Sequence, residues 1–161
     1  MPVISTHKDP EALTLTCVAE FDAPVEKVWQ VWQDPRQLER WWGPPTWPAT
    51  FEQHDFKVGG WARYHMTGPE GDRSRGWWRI IAIDRPHRLE FEDGFADENG
   101  EPVDQGAAVQ TAVTLEESGD RTRMTMVSRF TDSDQLEQLT TMGMEEGLQM
   151  ALGQIDALLA G

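Results

Sequence analysis

The sequence is short of several things, and each shortage removes a class of function. It has one cysteine, Cys17, so no internal disulfide can form, and the thiol sits in an apolar alternating run where it packs rather than reacts. Basic side chains are scarce. Lys+Arg 14 stand against Asp+Glu 28, and the formal net charge of -14 repels nucleic-acid phosphates and anionic lipid. No nucleic acid and no membrane partner is expected, whereas a basic protein partner is compatible with the acidic surface. No apolar run is long enough for a transmembrane helix, and residues 1–10 show no basic stretch followed by an apolar block, which points to the cytoplasm. No Pro/Gly/Ser-rich linker interrupts the chain, so residues 1–161 are expected to form one domain with residues 1–11 as an irregular extension. The histidines His7, His54, His65 and His87 are scattered without an i, i+4 pair or supporting carboxylates; no metal and no cofactor is expected.

What is present centres on Asp34-Pro35-Arg36-Gln37-Leu38-Glu39-Arg40-Trp41-Trp42-Gly43-Pro44-Pro45. Asp34 is a good N-cap, Pro35 suits the first helical position, and Gly43 with two prolines prevents continuation. Leu38, Trp41 and Trp42 share one face. Two adjacent indoles carry more apolar surface than so short a helix needs, so this helix is expected to plug the side of an apolar compartment.

Leu13 to Phe21 alternates as a half-buried strand, with Leu13, Leu15, Cys17, Ala19 and Phe21 on one side. Pro24 then opens a helix whose Val25, Val28, Trp29 and Trp32 form an apolar face. After the proline-rich bend, strands are predicted over 49–56, 61–66, 76–84, 89–93, 108–116 and 122–130, separated by turn signals, as an antiparallel meander. In the second of these Ala62, Tyr64 and Met66 look inward, opposite Trp61, Arg63 and His65. Trp77 and Trp78 lie in a nearly continuous apolar run, and either can point in. Leu89, Phe91 and Asp93 alternate with Glu90 and Glu92, and the Leu/Phe side is the buried one. Residues 96–104 read as an exposed polar loop. The chain ends in a long helix, capped by Asp132 and Gln135 and running to about Leu159. Leu136, Leu139, Gly143, Gly147, Met150 and Gln154 make one stripe; Met144, Leu148, Ala151, Leu152, Ile155 and Leu159 make another. Gly143 and Gly147 imply that bulk is unwelcome there, through close packing or through a pocket.

Several phrases in this order resemble a known family. Phe21-Asp22-Ala23-Pro24-Val25-Glu26-Lys27-Val28-Trp29, Arg40-Trp41-Trp42-Gly43-Pro44, Val58-Gly59-Gly60, Met66-Thr67-Gly68-Pro69-Glu70-Gly71 and the late Glu146-Gly147 helix resemble the START-like (SRPBCC, helix-grip) superfamily. Within it they are similar to bacterial proteins grouped with the activator of heat shock protein 90 ATPase, also labelled polyketide-cyclase-like. The resemblance spans about residues 12 to 160. It implies an α+β helix-grip fold: a curved antiparallel sheet around a long C-terminal helix, two short helices after the first strand, and a hydrophobic cavity between sheet and helix. Relatives often carry tryptophan where this chain has Leu148 and an aromatic at Ala62, changes that reshape the cavity. The eukaryotic activator also uses a separate N-terminal domain that this sequence does not contain, so a shared name does not carry the co-chaperone role.

The cavity so implied is assigned to Leu38, Trp41, Trp42, Phe56, Tyr64, Met66, Trp78, Phe91, Thr111, Met124, Met126, Gly143, Gly147, Met150 and Gln154, with Thr111 and Gln154 as polar contacts. Acid/base candidates are Tyr64, His65, Glu146 and Arg63; only Tyr64 is expected on the inner face. The leading expectation is non-catalytic binding or sensing of a small hydrophobic molecule. The alternatives are a polyketide-cyclase-like enzyme acting on an aromatic or polyketide-like compound, and a chaperone-interacting protein using the acidic surface.

Overall fold

The computed structural model describes residues 3–103 and 108–160; residues 1 and 2 of the expected extension, Asp104 of the polar loop and Gly161 lie outside the described residues. Among the described residues, eight strands form one antiparallel sheet. They are β1 (Val3–Asp9), β2 (Thr14–Phe21), β3 (Ala49–His54), β4 (Trp61–Thr67), β5 (Arg73–Asp84), β6 (Arg88–Phe95), β7 (Val109–Ser118) and β8 (Arg121–Arg129). Their spatial order is β1-β2-β8-β7-β6-β5-β4-β3. Two short helices, α1 (Val25–Gln33) and α2 (Pro35–Leu38), follow β2, and three helical segments close the chain: α3 (Ser133–Thr141), α4 (Met144–Gly153) and α5 (Ile155–Ala160). This is an α+β helix-grip fold, the sheet curving around the C-terminal helical region.

Alternation decides which face is inside. Leu15, Cys17, Ala19 and Phe21 of β2 are buried, as are Thr122, Met124, Met126 and Ser128 of β8. Burial pushes the Cys17 thiol up to about 11, with Glu145 adding to the shift, so it stays protonated and unreactive. The tryptophan pair of β5 divides between the faces. Trp78 stacks on Phe91 inside the grip at 4.2 Å, whereas Trp77 packs outside against Trp61 at 5.4 Å.

Residues 1–11, expected to be irregular, instead contribute β1, which pairs along β2 from Val3↔Glu20 to Asp9↔Thr14. Periodicity misses β1 because its inward contacts are polar. Thr6 donates to Glu145 at 2.6 Å and Lys8 meets Glu137 at 3.2 Å, both carboxylates lying on the C-terminal helices. The Asp34 helix is also shorter than expected. Asp34 accepts from the Arg36 amide at 2.9 Å as a cap should, but the helix stops at Leu38, and the amides of Trp41 and Trp42 both turn back to the Leu38 carbonyl. From this turn Trp41 donates its indole N–H to the Val31 carbonyl at 2.8 Å.

The C-terminal helical region is interrupted at Gly143, whose φ of +91° is a left-handed conformation that an L side chain rarely adopts. Glycine is needed there for its backbone, not for room. At Gly147 a Cβ would meet nothing within 4 Å, so neither close packing nor a pocket wall accounts for that glycine. The segments after the break bury Ala151, Leu152, Ile155 and Leu159 in the main core. A second cluster joins Leu15, Val109 and Phe130 to Leu136, with Leu139 and Met144 beside them.

The two glycines therefore predict opposite outcomes. Gly143→Ala is expected to lower the unfolding free energy by about 1–2 kcal/mol, the cost of a left-handed non-glycine residue. Gly147→Ala is expected to raise it by up to about 1 kcal/mol through helix propensity. Urea unfolding of both variants checks this, and effects of the same sign would contradict it.

Candidate functional site

The space inside the grip is divided into a filled half and an open half. In the filled half, Trp32 meets Trp41 at 4.7 Å, Trp42 at 6.1 Å, Trp78 at 6.0 Å and Phe91 at 6.0 Å. Trp42 packs edge-on to Trp78 at 4.8 Å, and the Trp32 indole N–H points to the Met124 sulfur at 3.4 Å. Mostly edge-to-face contacts of this kind suit the ring quadrupoles and leave little room between them.

In the open half is a cavity of about 720 Å³ between the inner face of the sheet and the α3–α4 corner. Tyr64 and Met66 of β4, Asp93 to Phe95 of β6, Val103 and Val109 line it from the sheet side; Leu139, Met142, Gly143 and Met144 line it from the helices. Phe95, Val103 and Met142 are each more than half exposed, so the wall extends into an apolar rim. Asp132 and Asp134, at the start of α3, add exposed carboxylates to that rim.

Of the residues assigned to the cavity from sequence, Tyr64, Met66 and Gly143 line it. Leu38, Trp41, Trp42, Trp78, Phe91, Met124 and Met126 belong to the closed core, and Phe56 packs at its edge. Thr111 is buried with its hydroxyl 3.4 Å from that of Ser128. Gln154 spends its amide on the carbonyls of Trp41, at 3.3 Å, and Gly43, at 2.7 Å, tying the tryptophan turn to the C-terminal segments. Gly147 faces open space, and Met150, expected inside, is 48% exposed. Period-two alternation reports which side of a strand faces inward, but not where along the strand the side chains run out of partners. Leu148 and Ala62 lie outside the wall as well: Leu148 packs between the two apolar clusters, and Ala62 pairs with Trp78 in the core.

Among the acid/base candidates, Tyr64 alone faces the cavity. His65 is on the outer face, with Nδ1 2.7 Å from Glu52, and Arg75 reaches the same carboxylate at 2.8 Å. The His65 bond, helped by Arg75, holds the Glu52 carboxyl below its ordinary range. Arg63 is drawn to Glu101 at 3.3 Å, and Glu146 is exposed on α4. Tyr64 is seated by its partner strand. Gly76 lies directly across from it, and the phenol ring occupies the space that a Cβ at Gly76 would take. Phe51 stacks on the ring at 4.9 Å.

Asp93 also lines the cavity, and its signal in the sequence is an aspartate on the same parity as the buried Leu89 and Phe91. Among the described residues its carboxylate has no hydrogen bond and no ion pair. Burial alone pushes its pKa up to about 7, since no cation offsets the lost hydration. The Tyr64 phenol is raised above its ordinary range by burial and then by the nearby Asp93 carboxylate, so it stays protonated and can donate a hydrogen bond.

Comparison with known proteins gives this geometry a context. The family model described as activator of Hsp90 ATPase homolog 1-like protein matches residues 22–160. The solution structure of a protein from Arthrobacter aurescens is 57% identical, over 97% of this chain and 91% of that one, with a TM-score of 0.93. A crystal structure of a Mycobacterium smegmatis protein is 44% identical, over 98% of this chain and 97% of that one, with a TM-score of 0.89. A solution structure from Staphylococcus epidermidis is 25% identical, over 97% and 93%, with a TM-score of 0.84. No curated protein matches.

The position of Asp93 predicts a pH signature. A carboxyl whose pKa rises on folding supports stability fully below its ordinary value of 3.8, and that support is lost as pH rises through about 7. Asp93→Asn is therefore expected to melt above the parent chain at pH 8 and to lose that advantage as pH falls toward 4. Melting temperatures of the two proteins across this range check it; a difference that does not change with pH would place the carboxyl in water.

Proposed function

The chain belongs to the family described as activator of Hsp90 ATPase homolog 1-like proteins, and on that premise we propose that it binds or senses a small hydrophobic molecule in the cavity without transforming it. The observation that carries this reading is the cavity itself. Its volume of about 720 Å³ falls within the roughly 300–1,000 Å³ of small-molecule pockets, and its wall combines apolar groups with the polar side chains of Tyr64, Asp93, Gln135 and Gln138. The exposed Phe95, Val103 and Met142 on its wall support the same reading, because a bound molecule would cover apolar surface that otherwise faces water. Methionines at 66, 142 and 144 give the wall adaptable, polarisable contacts suited to more than one ligand shape.

A second reading, a polyketide-cyclase-like reaction on an aromatic or polyketide-like compound, draws on one observation: Tyr64 and Asp93 face the same cavity. Asp93 has a pKa suited to a general base near neutrality, but the Tyr64 phenol holds its proton too firmly for efficient transfer. Tyr64 is better placed to orient a ligand. Turnover of such a compound that disappears in both Tyr64→Phe and Asp93→Asn would favour the enzyme.

Native mass spectra of the freshly purified protein, compared with spectra after denaturation, are expected to show a small molecule released on unfolding. Nile red, a neutral dye, is expected to bind saturably at one site. Leu139→Trp, which adds bulk to the cavity wall, should abolish dye binding while the far-ultraviolet circular dichroism is retained. An unchanged mass together with dye binding that is absent, or that survives Leu139→Trp, would overturn the reading.

A further inference from the structure

Resting on the cavity reading above, we propose that the site selects its ligand by charge: it takes an apolar molecule bearing an amine, which the Asp93 carboxylate receives, and it rejects fatty-acid-like carboxylates. Among the described residues the wall contains no lysine, arginine or histidine, whereas Asp93 lies within it and Asp132 and Asp134 stand at the rim. A pocket for fatty acids needs a cation for the ligand's carboxylate; this one offers only neutral groups, the Tyr64 phenol and the side chains of Thr131, Gln135 and Gln138, beside carboxylates of its own.

The geometry gives Asp93 no other occupation. It projects from the inner face of β6, two residues beyond Phe91, and its neighbours along the sheet are Trp78 of β5 and Val109 of β7. Among the described residues it has no hydrogen-bond or ion-pair partner, and residues 104–107, Asp-Gln-Gly-Ala, include no cation. An unpaired carboxylate facing an apolar cavity is a costly arrangement, and a ligand ammonium removes the cost by giving the charge a partner in a medium of low polarity. A ligand carboxylate there would face like charge, with neutral donors and no cation among the described residues to receive it. The protein's net charge of -14 acts in the same direction at longer range, raising the local concentration of cationic amphiphiles.

The test uses three probes of equal chain length, decylamine, decanol and decanoate, each kept below its aggregation concentration and titrated calorimetrically at pH 7.5. Decylamine is expected to bind at least about tenfold more tightly than decanoate, the scale of one charge-assisted contact. Asp93→Asn should remove that preference, bringing the ratio of decylamine to decanoate affinity to within about twofold of one. Leu139→Trp should abolish binding of all three, separating the cavity from adsorption of amines to the acidic surface. A decanoate affinity equal to or above that of decylamine overturns the proposal, as does an amine preference that survives either variant. If decanol binds and decylamine is not preferred, the charge rule fails and the cavity reading stands. If none of the probes binds and Nile red also fails to bind, both fail.

Discussion

The contact between Trp78 and Phe91, stacked at 4.2 Å on adjacent strands, is the platform against which the aromatic interior is built. Trp32 from α1 and Trp42 from the turn after α2 close onto it, so two helices separated in sequence by a single residue are both fixed to the same patch of sheet. The turn at Leu38 is what makes this possible. Tight turns carry the chain on from Leu38, the Trp42 amide still bonding the Leu38 carbonyl, and from them Trp41 hydrogen-bonds to α1 while Trp42 reaches the sheet. Gln154 then ties the same turn to the C-terminal segments by donating to two of its carbonyls. Large rings are efficient for this purpose because each removes much apolar area from water while losing few rotatable bonds.

A block of rings at one end of the grip changes what the other end can be. The sheet has a continuous inner face, but the helical region that covers it is broken at Gly143, so α3 and α4 meet at a corner instead of lying as one rod along the strands. The aromatic half anchors α4 and α5 through Ala151, Leu152, Ile155 and Leu159. The corner itself is held by a smaller cluster, with Leu15, Val109, Phe130 and Leu136 at its centre. Stability concentrated at one end permits unfilled volume at the other, since the apolar contacts missing around the cavity are compensated by those made among the tryptophans.

Much of this was legible in the chain, and the parts that were not have identifiable causes. The strands from β2 onward announce themselves because one side of each packs on the core and the other meets water, the arrangement that period-two alternation detects. β1 escapes that rule because it meets the C-terminal helices through polar contacts of Thr6 and Lys8. Gly143 and Gly147 look identical in sequence, yet one occupies a left-handed backbone position and the other an ordinary helical one with space around it; nothing in their spacing separates them. The most conspicuous residues, the paired tryptophans, find each other and the core instead of lining the cavity. Rings numerous enough to pack together become core, and the open volume is left to residues with fewer partners, Tyr64, Met66, Leu139 and Met144.

Asp93 shows what signal was available for the site. On a strand with buried Leu89 and Phe91, the next residue of the same parity should be apolar if the core simply continued. An aspartate there means either that the strand has passed the edge of the protein or that it has entered a space in which a polar group has a use. The register excludes the first case, because β5 and β7 flank it on either side through Trp78 and Val109, and the chain remains paired as far as Phe95 against Gly76. The same register places Gly76 across from Tyr64, which seats the one tyrosine of the sequence over a glycine, on the wall of the cavity that Asp93 also lines. Two polar groups carried by different strands, each in a position where packing alone would favour a hydrophobic residue, converge on one volume. That convergence is independent of family resemblance, and it locates the polar end of the cavity through the same alternation rule that located its walls.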